Sequence, residues 1–187
     1  EKVVDIARSL GITEDMPVLP SVALGSAEVT LLQMSNAYAS VANKGYKIEP
    51  VAILKVYDSG NRLIYSRSPS HGVKVISNDA VNSIWTMMRE SVLYGTSKAA
   101  NIDGVEVYGK TGTSQDYRDA WFFGFADGLT TGVWVGNDDN RSMKNLTGGA
   151  VPAVIWKQYI LHSISPTKSQ DGKKGNIWSL FGSGKKD

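Results

Sequence analysis

The segment Val105–Gly136 constrains the fold of this chain more than any other, because it has the pattern of three short strands joined by tight turns. Apolar and polar residues alternate in Val105–Thr113, aromatic residues fill Ala120–Ala126, and Thr, Val and Trp dominate Leu129–Gly136. The pair Asp127-Gly128 favours a hairpin turn between the last two strands, since glycine takes positive φ at little steric cost. The sequence therefore predicts a three-stranded antiparallel sheet.

The end of the first predicted strand carries an unusual sequence, Lys-Thr-Gly-Thr-Ser, which begins at Lys110. Glycine weakens a strand and often marks a place where a ligand or another backbone approaches closely. Here Gly109 and Gly112 enclose the lysine, and hydroxyls stand on both sides of the second glycine, at Thr111 and Thr113. Such an edge offers a cation, two hydroxyls and bare backbone N–H groups to an extended ligand that bears a carboxylate. A glycine-weakened strand beside a polar turn is the alternative, and residue chemistry alone leaves both open.

Helices are predicted on both sides of this sheet segment, from apolar residues at helical spacing and from residues suited to helix ends. Thr30, followed three residues later by a glutamine, forms a capping-box pattern, and Pro152 suits the first turn of a last helix. In that last helix we expect Ile155, Trp156 and Tyr159 to pack on the sheet. The predicted helices cover residues 2–10, 30–45, 77–95 and 152 onward.

Length and charge set outer limits on function. The 187 residues suit one domain, and the absence of cysteine excludes disulfides and thiolate chemistry. The net charge of +2 is uneven, because Ser163–Asp187 holds five lysines and two aspartates, which leaves the remainder at −1. That distribution does not indicate the strongly basic surface that nucleic-acid binding needs. We expect residues 163–187, rich in Lys, Gly and Ser, to form a flexible tail.

The strand sequences resemble those of a known enzyme family. Lys-Thr-Gly-Thr-Ser, followed by Asp-Ala-Trp-Phe-Phe-Gly-Phe and Gly-Val-Trp-Val-Gly-Asn-Asp-Asp, is similar to the third catalytic motif and following strands of penicillin-binding transpeptidases. The class A, bifunctional members of the 1A type are the most similar. The resemblance extends upstream through Ala23–Gly45 and Gly95–Ala100 and covers roughly residues 1–161. An ordered set of this kind is far more specific than Lys-Thr-Gly alone.

The resemblance implies a fold and a function. The fold would be α+β, the serine β-lactamase and penicillin-binding transpeptidase fold, with an antiparallel sheet and flanking helices. Residues 1–162 would form the C-terminal portion of that domain. The activity would be that of a peptidoglycan D,D-transpeptidase, which cross-links D-Ala-D-Ala stem peptides through an acyl-enzyme, is inhibited by β-lactams and needs no cofactor. The enzyme would act at the periplasmic or outer face of the membrane, anchored by a segment that this sequence does not include.

The resemblance also implies roles for four residues. The amine of Lys110 would bind the substrate's terminal carboxylate and tune the proton network around the nucleophile. The hydroxyls of Thr111 and Thr113 would hold the same carboxylate, and Gly112 would let the substrate backbone approach. The N–H of Thr113 would form half of the oxyanion hole, so we expect Lys110 and Thr113 to be catalytic and Thr111, Gly112 and Thr113 to bind substrate.

The nucleophile of the family sits in an S-x-x-K motif, and a second motif reads S-x-N. The two S-x-x-K matches, Ser165–Lys168 and Ser183–Lys186, follow the last helix, whereas the family order puts this motif before the lysine strand. The one S-x-N match, Ser59-Gly60-Asn61, lies in the turn of a hairpin predicted between Val51–Tyr57 and Arg62–Ser66. We interpret all three as chance. Both catalytic motifs, and two further strands of a five-stranded sheet, are therefore expected upstream of the first residue.

Other polar residues carry weaker signals. His71 and His162 are isolated and lack ligand spacing, so we predict no metal site. Carboxylates at strand ends are usually solvated, which is our interpretation of Asp127, Asp138 and Asp139.

Two more sets of residues lie in and after the turn that follows the lysine strand. For Asp116, Arg118 and Asp119 a structural salt bridge is favoured over catalysis, and Tyr117 is expected at the rim of the cleft. Three aromatic residues alternate along the middle strand and are predicted to be core under the helices: Trp121, Phe123 and Phe125.

Two other functions use the same kind of strand. A serine β-lactamase or D,D-carboxypeptidase would transfer the acyl group to water. A non-enzymatic β-lactam sensor or cell-wall-binding module would bind without turnover. The long upstream matches favour the transpeptidase over the first.

Overall fold

The computed structural model describes residues 1–68, 70 and 72–164. Four helices are found there: α1 (Lys2–Ser9), α2 (Leu31–Ala42), α3 (Asn78–Leu93) and α4 (Val151–Ile164). The strands are β1 (Tyr46–Lys47), β2 (Lys55–Tyr57), β3 (Leu63–Ser66), β4 (Val73–Lys74), β5 (Tyr108–Thr113), β6 (Asp119–Ala126) and β7 (Leu129–Gly136). Short 3₁₀ turns lie at Pro20–Leu24, Lys98–Ala100 and Gln115–Tyr117.

The central sheet is the predicted one, an antiparallel meander in the order β5-β6-β7. Its first strand begins at Tyr108 and not at Val105. The backbone before Tyr108 forms other hydrogen bonds. The Val105 N–H donates to the Ile102 carbonyl in a turn, and the Val107 carbonyl accepts from the Arg89 guanidinium at 3.2 Å. The α+β prediction is thereby confirmed.

Helices cover both faces of this sheet. On one face the Tyr38 ring of α2 stacks on Phe123 with centroids 5.0 Å apart, and Trp85 of α3 lies 5.8 Å from Phe125. Phe123 and Phe125 are buried as predicted, whereas Trp121 is only half-buried. The opposite face was not predicted to be core, yet its side chains are buried as well: Ala120, Phe122 and Ala126.

Trp156 of α4 closes that second face. Its side chain is fully buried, with the ring 5.3 Å from Phe122. The indole N–H is shared between the carbonyls of Gly124 and Thr131, at 3.3 and 3.2 Å. The prediction for Trp156 is therefore confirmed.

The neighbouring predictions on α4 are wrong, because Ile155 and Tyr159 are exposed. The buried positions are instead Pro152, Ala153, Trp156 and Ile160. The helix is apolar almost all round, so the spacing of its apolar residues does not mark the face that packs.

The helix starts follow the predicted capping chemistry. Thr30 Oγ1 accepts from the N–H of Gln33 at 3.2 Å, and Ser77 Oγ accepts from the N–H of Ala80 at 3.3 Å. The Gln33 amide donates to Thr13 Oγ1 at 2.8 Å, which ties α2 to the segment after α1. Only the first half of the capping box at Thr30 is therefore formed.

The predicted hairpin is present as β2 and β3, with both strands shorter than expected. Its turn is held by the Asp58 carboxylate, which accepts from the N–H groups of Gly60 and Arg62 at 3.0 and 2.9 Å. A second pair, β1 with β4, was not predicted, because two-residue strands carry no periodicity.

The last helix reaches Ile164, so the boundary predicted after residue 162 falls inside α4. The rest of the predicted tail, 165–187, lies outside the described residues. Within the part of the chain that the structure describes, no helix combines the length and apolar character needed to cross a membrane.

Burial of Tyr38 predicts a pH effect on stability. Desolvation raises the pKa of its phenol from 10.0 to about 12. The folded-state pKa lies above the unfolded one, so the stabilisation by the neutral phenol is complete below pH 10 and is lost as the pH rises towards 12. We expect the free energy of unfolding to fall by up to about 2–3 kcal/mol more in the parent than in Tyr38→Phe over this range. Urea unfolding of both proteins between pH 9 and about 12 measures it, and parallel curves would contradict it.

Candidate active site

The predicted site lies on β5, an edge strand that pairs with β6 alone in its sheet. Helix α3 contacts the first half of this strand, where Trp85 lies 5.3 Å from the Tyr108 ring. In the second half Lys110 and Thr113 are exposed, and Thr111 and Gly112 are half-buried. The free edge of β5 at residues 110–113, here called the lysine edge, is therefore open to solvent.

The hydrogen-bond pattern of β5 shows which backbone groups face this edge. Just beyond the last pair of the ladder, Ser114 N–H donates to the Asp119 carbonyl at 3.0 Å and Asp119 N–H donates back to Ser114 Oγ at 2.7 Å, so these two residues hold a hydrogen-bonded position. Bonded and non-bonded pairs alternate in an antiparallel ladder, so Thr113 and Thr111 occupy non-bonded positions. The N–H and C=O groups of both threonines thus point away from β6, towards the open edge.

The amine of Lys110 lies at the same edge. Its Nζ donates to the Thr111 carbonyl at 2.6 Å, and that carbonyl points outward from the sheet. A cation and the Thr113 N–H are therefore presented together on one side of an accessible strand. This is an arrangement suited to an anionic, extended ligand.

The two threonine hydroxyls are held from outside the strand. Thr111 Oγ1 lies 2.7 Å from Thr96 Oγ1, in the segment after α3. Thr113 Oγ1 accepts from the N–H of Gly148 at 3.1 Å, in the loop before α4. Neither Thr96 nor Gly148 was predicted to belong to the site, although Thr96 lies in the Gly95–Ala100 segment that carries part of the family resemblance.

Packing leaves little room for a side chain at Gly112 and none at Gly148. A Cβ added to Gly112 would lie 3.2 Å from Trp121 Cβ, which is tighter than about nine in ten such contacts. A Cβ added to Gly148 would lie 2.5 Å from the Gly112 carbonyl oxygen and would collide with the Trp121 carbonyl. The loop at Gly148 thus sits directly on the Gly112–Trp121 pair. The predicted role of Gly112 in admitting substrate stays a prediction.

The turn after β5 contains one salt bridge between the charged residues for which a structural role was predicted. Arg118 pairs with Asp116 at 3.8 Å, an exposed contact worth at most about 1 kcal/mol. Asp119 does not join that pair, because its carboxylate accepts the indole N–H of Trp134 at 2.9 Å. Tyr117 is 38% exposed, and its carbonyl accepts from the N–H of Met143 at 2.9 Å.

A cavity of about 900 Å³ opens at the other end of β5, and none of the four predicted site residues lines it. Its walls include Trp85, Phe125 and Tyr108. Burial raises the pKa of Tyr108, and the nearby carboxylate of Glu106 raises it further. The predicted site therefore does not coincide with this cavity. The evidence for the site is the chemistry of the residues at the lysine edge.

The remaining candidates lie away from the lysine edge or outside the described residues. Ser59-Gly60-Asn61 is at the tip of the β2–β3 hairpin, in a separate sheet. His162 is exposed in the last turn of α4, and Asp139 pairs with Arg141. His71 and both S-x-x-K matches lie outside the described residues. Among those that are described, no three His, Cys, Asp or Glu side chains are grouped as a metal site.

Comparison with known families decides the identity of the fold. Residues 18–160 match the family model of the penicillin-binding protein transpeptidase domain. The chain belongs to this family. The resemblance found at the lysine strand is thereby confirmed, and the penicillin-binding transpeptidase fold with it.

Relatives of this transpeptidase domain are proteins named penicillin-binding protein 1A. The one from Aquifex aeolicus is 36% identical over 161 residues, which are 86% of this chain and 22% of the relative. The one from Neisseria flavescens is 34% identical over 178 residues, with 89% and 22% covered. The chain thus spans about a fifth of the length of these relatives.

Solved penicillin-binding proteins share the fold. PonA1 from Mycobacterium tuberculosis in complex with penicillin V superposes with a TM-score of 0.77 at 24% identity, over 93% of this chain and 52% of that one. Penicillin-binding protein 1A from Haemophilus influenzae gives 0.74 at 24% identity, over 88% and 31%. At these identities the likeness is evidence for the fold alone.

Proposed function

We propose that this chain supplies the substrate-binding strand of a serine D,D-transpeptidase, which cross-links peptidoglycan stem peptides. One observation carries the proposal: the Lys110 amine and the Thr113 N–H lie at the same open edge of β5. Membership of the penicillin-binding transpeptidase family supplies the reaction class.

The edge matches the needs of a peptide that ends in D-Ala-D-Ala. Its terminal carboxylate is an acceptor only, and Lys110 and the hydroxyls of Thr111 and Thr113 are donors. The Thr113 N–H would stabilise the oxyanion that forms when the peptide carbonyl is attacked, an effect worth about 10²–10³ in rate. The second oxyanion donor would be the N–H of the nucleophilic serine itself. A β-lactam carries the same carboxylate and a reactive carbonyl, so it would occupy the same edge.

The nucleophile would come from a segment upstream of this sequence. No S-x-x-K motif precedes β5 in the sequence, and the matching part is only 22% of the Aquifex aeolicus and Neisseria flavescens relatives. The same segment would carry S-x-N and the membrane anchor that places the enzyme outside the cytoplasm. Lys110 and Thr113 would then be catalytic in the assembled domain, and Thr111 and Gly112 would bind substrate.

Labelling with a fluorescent penicillin tests this division of the site. The isolated 187-residue chain should take up no covalent label, because it lacks the serine that is acylated. The longer protein that includes the upstream segment should be labelled, and unlabelled penicillin should compete. Labelling of the isolated chain would contradict the upstream nucleophile, and no labelling of the longer protein would contradict penicillin binding.

A second assay separates the transpeptidase from its rivals. Given a D-Ala-D-Ala peptide and an amino acceptor strand, the longer protein should form the cross-linked product. Release of D-Ala with hydrolysis alone would indicate a carboxypeptidase, and acylation without turnover would indicate a sensor.

A further inference from the structure

We propose that Thr96 is a positioning residue for carboxylate recognition, because its hydroxyl sets the direction in which the Thr111 hydroxyl donates. The inference rests on the proposed function above and adds a residue outside the lysine strand to it. The contact that carries it is the 2.7 Å distance between Thr96 Oγ1 and Thr111 Oγ1.

The segment that holds Thr96 is fixed by buried contacts on one side. The next residue, Ser97, is fully buried, and its hydroxyl lies 2.8 Å from that of Ser91 in α3. Its backbone N–H donates to the Ser91 carbonyl at 3.1 Å. Thr96 therefore meets β5 from a backbone that α3 anchors.

The loop before α4 confines Thr96 from the other side. Gly149 lies so close that an added Cβ would collide with the Thr96 carbonyl and lie 3.6 Å from the methyl group of Thr111. One residue earlier, Gly148 donates to Thr113. Two segments that are distant in sequence thus converge on the two threonines of β5.

The protons and lone pairs of each hydroxyl show which direction of the Thr96–Thr111 contact leaves both threonines of β5 able to donate. A hydroxyl has one proton and two lone pairs. Thr113 accepts from Gly148, so its own proton is free to be donated. If Thr96 donates to Thr111, the proton of Thr111 is freed in the same way, and both threonines can donate to a carboxylate, which only accepts. The reverse direction would consume the Thr111 proton.

The test compares acylation of the longer, nucleophile-bearing protein by two forms of one penicillin, the free carboxylate and its methyl ester. Thr96→Val removes the donor but keeps the shape, and should lower the second-order acylation rate with the free acid about 2- to 10-fold. The rate with the ester should stay unchanged, because the ester has no charged carboxylate to bind. Thr96→Ser should restore the rate with the acid.

Controls separate this role from general damage. The side chain of Thr96 is exposed, so the substitutions remove no core packing. Thr86→Val is the matched control, since its exposed hydroxyl bonds only the Asn82 carbonyl of its own helix at 2.9 Å, and it should change neither rate. In a Thr111→Val background, Thr96→Val should have no further effect on the acid.

Three outcomes would overturn the inference: no loss with the free acid, an equal loss with acid and ester, or an effect that persists in the Thr111→Val background. None of these outcomes bears on the proposed function, which is tested separately by labelling and cross-linking with the unsubstituted protein.

Discussion

Lys110→Ala is expected to lower the rate of acylation by penicillin about 10- to 150-fold in the protein that carries the nucleophile. Hydrogen bonds to charged groups are worth about 1.5–3 kcal/mol, which corresponds to this range of rates. The Lys110 amine lies at the open edge, and its present acceptor is the outward-pointing Thr111 carbonyl. A substrate carboxylate that binds there would accept a charged hydrogen bond from the Lys110 ammonium group, which would be its main partner.

The measurement is the second-order rate constant for acylation, with Lys144→Ala as the control. Lys144 is an exposed lysine in the loop after β7, so it reports the effect of losing one positive charge in general. Lys110→Ala should leave the unfolding transition almost unchanged, because the side chain is exposed. Equal acylation rates for the two variants would contradict the proposed role of Lys110 in binding the carboxylate.

Trp156→Ala is expected to lower the free energy of unfolding by about 3–5 kcal/mol, the range measured when a buried tryptophan or phenylalanine is cut to alanine. The side chain is fully buried beneath the sheet and packs on Phe122. Its indole N–H also serves the carbonyls of Gly124 and Thr131, on β6 and β7. The truncation therefore leaves a cavity and removes a tie between α4 and two strands.

Tyr159→Ala provides the comparison on the same helix, because Tyr159 is 54% exposed. It should change stability by no more than about 0.5 kcal/mol. Urea unfolding followed by circular dichroism measures both variants without relying on tryptophan fluorescence. Similar losses for the two would mean that α4 packs on a different face.

Local signals account for what could be predicted. The Asp127-Gly128 turn, the caps at Thr30 and Ser77, and the strand-forming composition of β6 and β7 are each encoded within a few residues. The turn geometry and the cap hydrogen bonds involve only residues that are close in sequence, so the meander and the helix starts could be predicted. The Lys-Thr-Gly segment was found for the same reason, since it is one contiguous stretch on one strand.

Long-range contacts account for what was missed. Nothing near Phe122 indicates that α4 covers its face, because the cover comes from Trp156, more than thirty residues later. The partners of the threonine hydroxyls, Thr96 and Gly148, lie on opposite sides of β5 in the sequence. Only the folded arrangement brings them to the lysine edge.

The outward direction of the Thr113 backbone bears on how drug resistance could arise. An amide proton belongs to the main chain, so no exchange of the side chain at this position deletes it, proline excepted. In the transpeptidase proposed above, substitutions that weaken inhibitor binding would then act through side chains, among them those that would hold the carboxylate. The natural peptide of that proposed enzyme would need those same groups, so escape from the antibiotic would cost cell-wall synthesis as well.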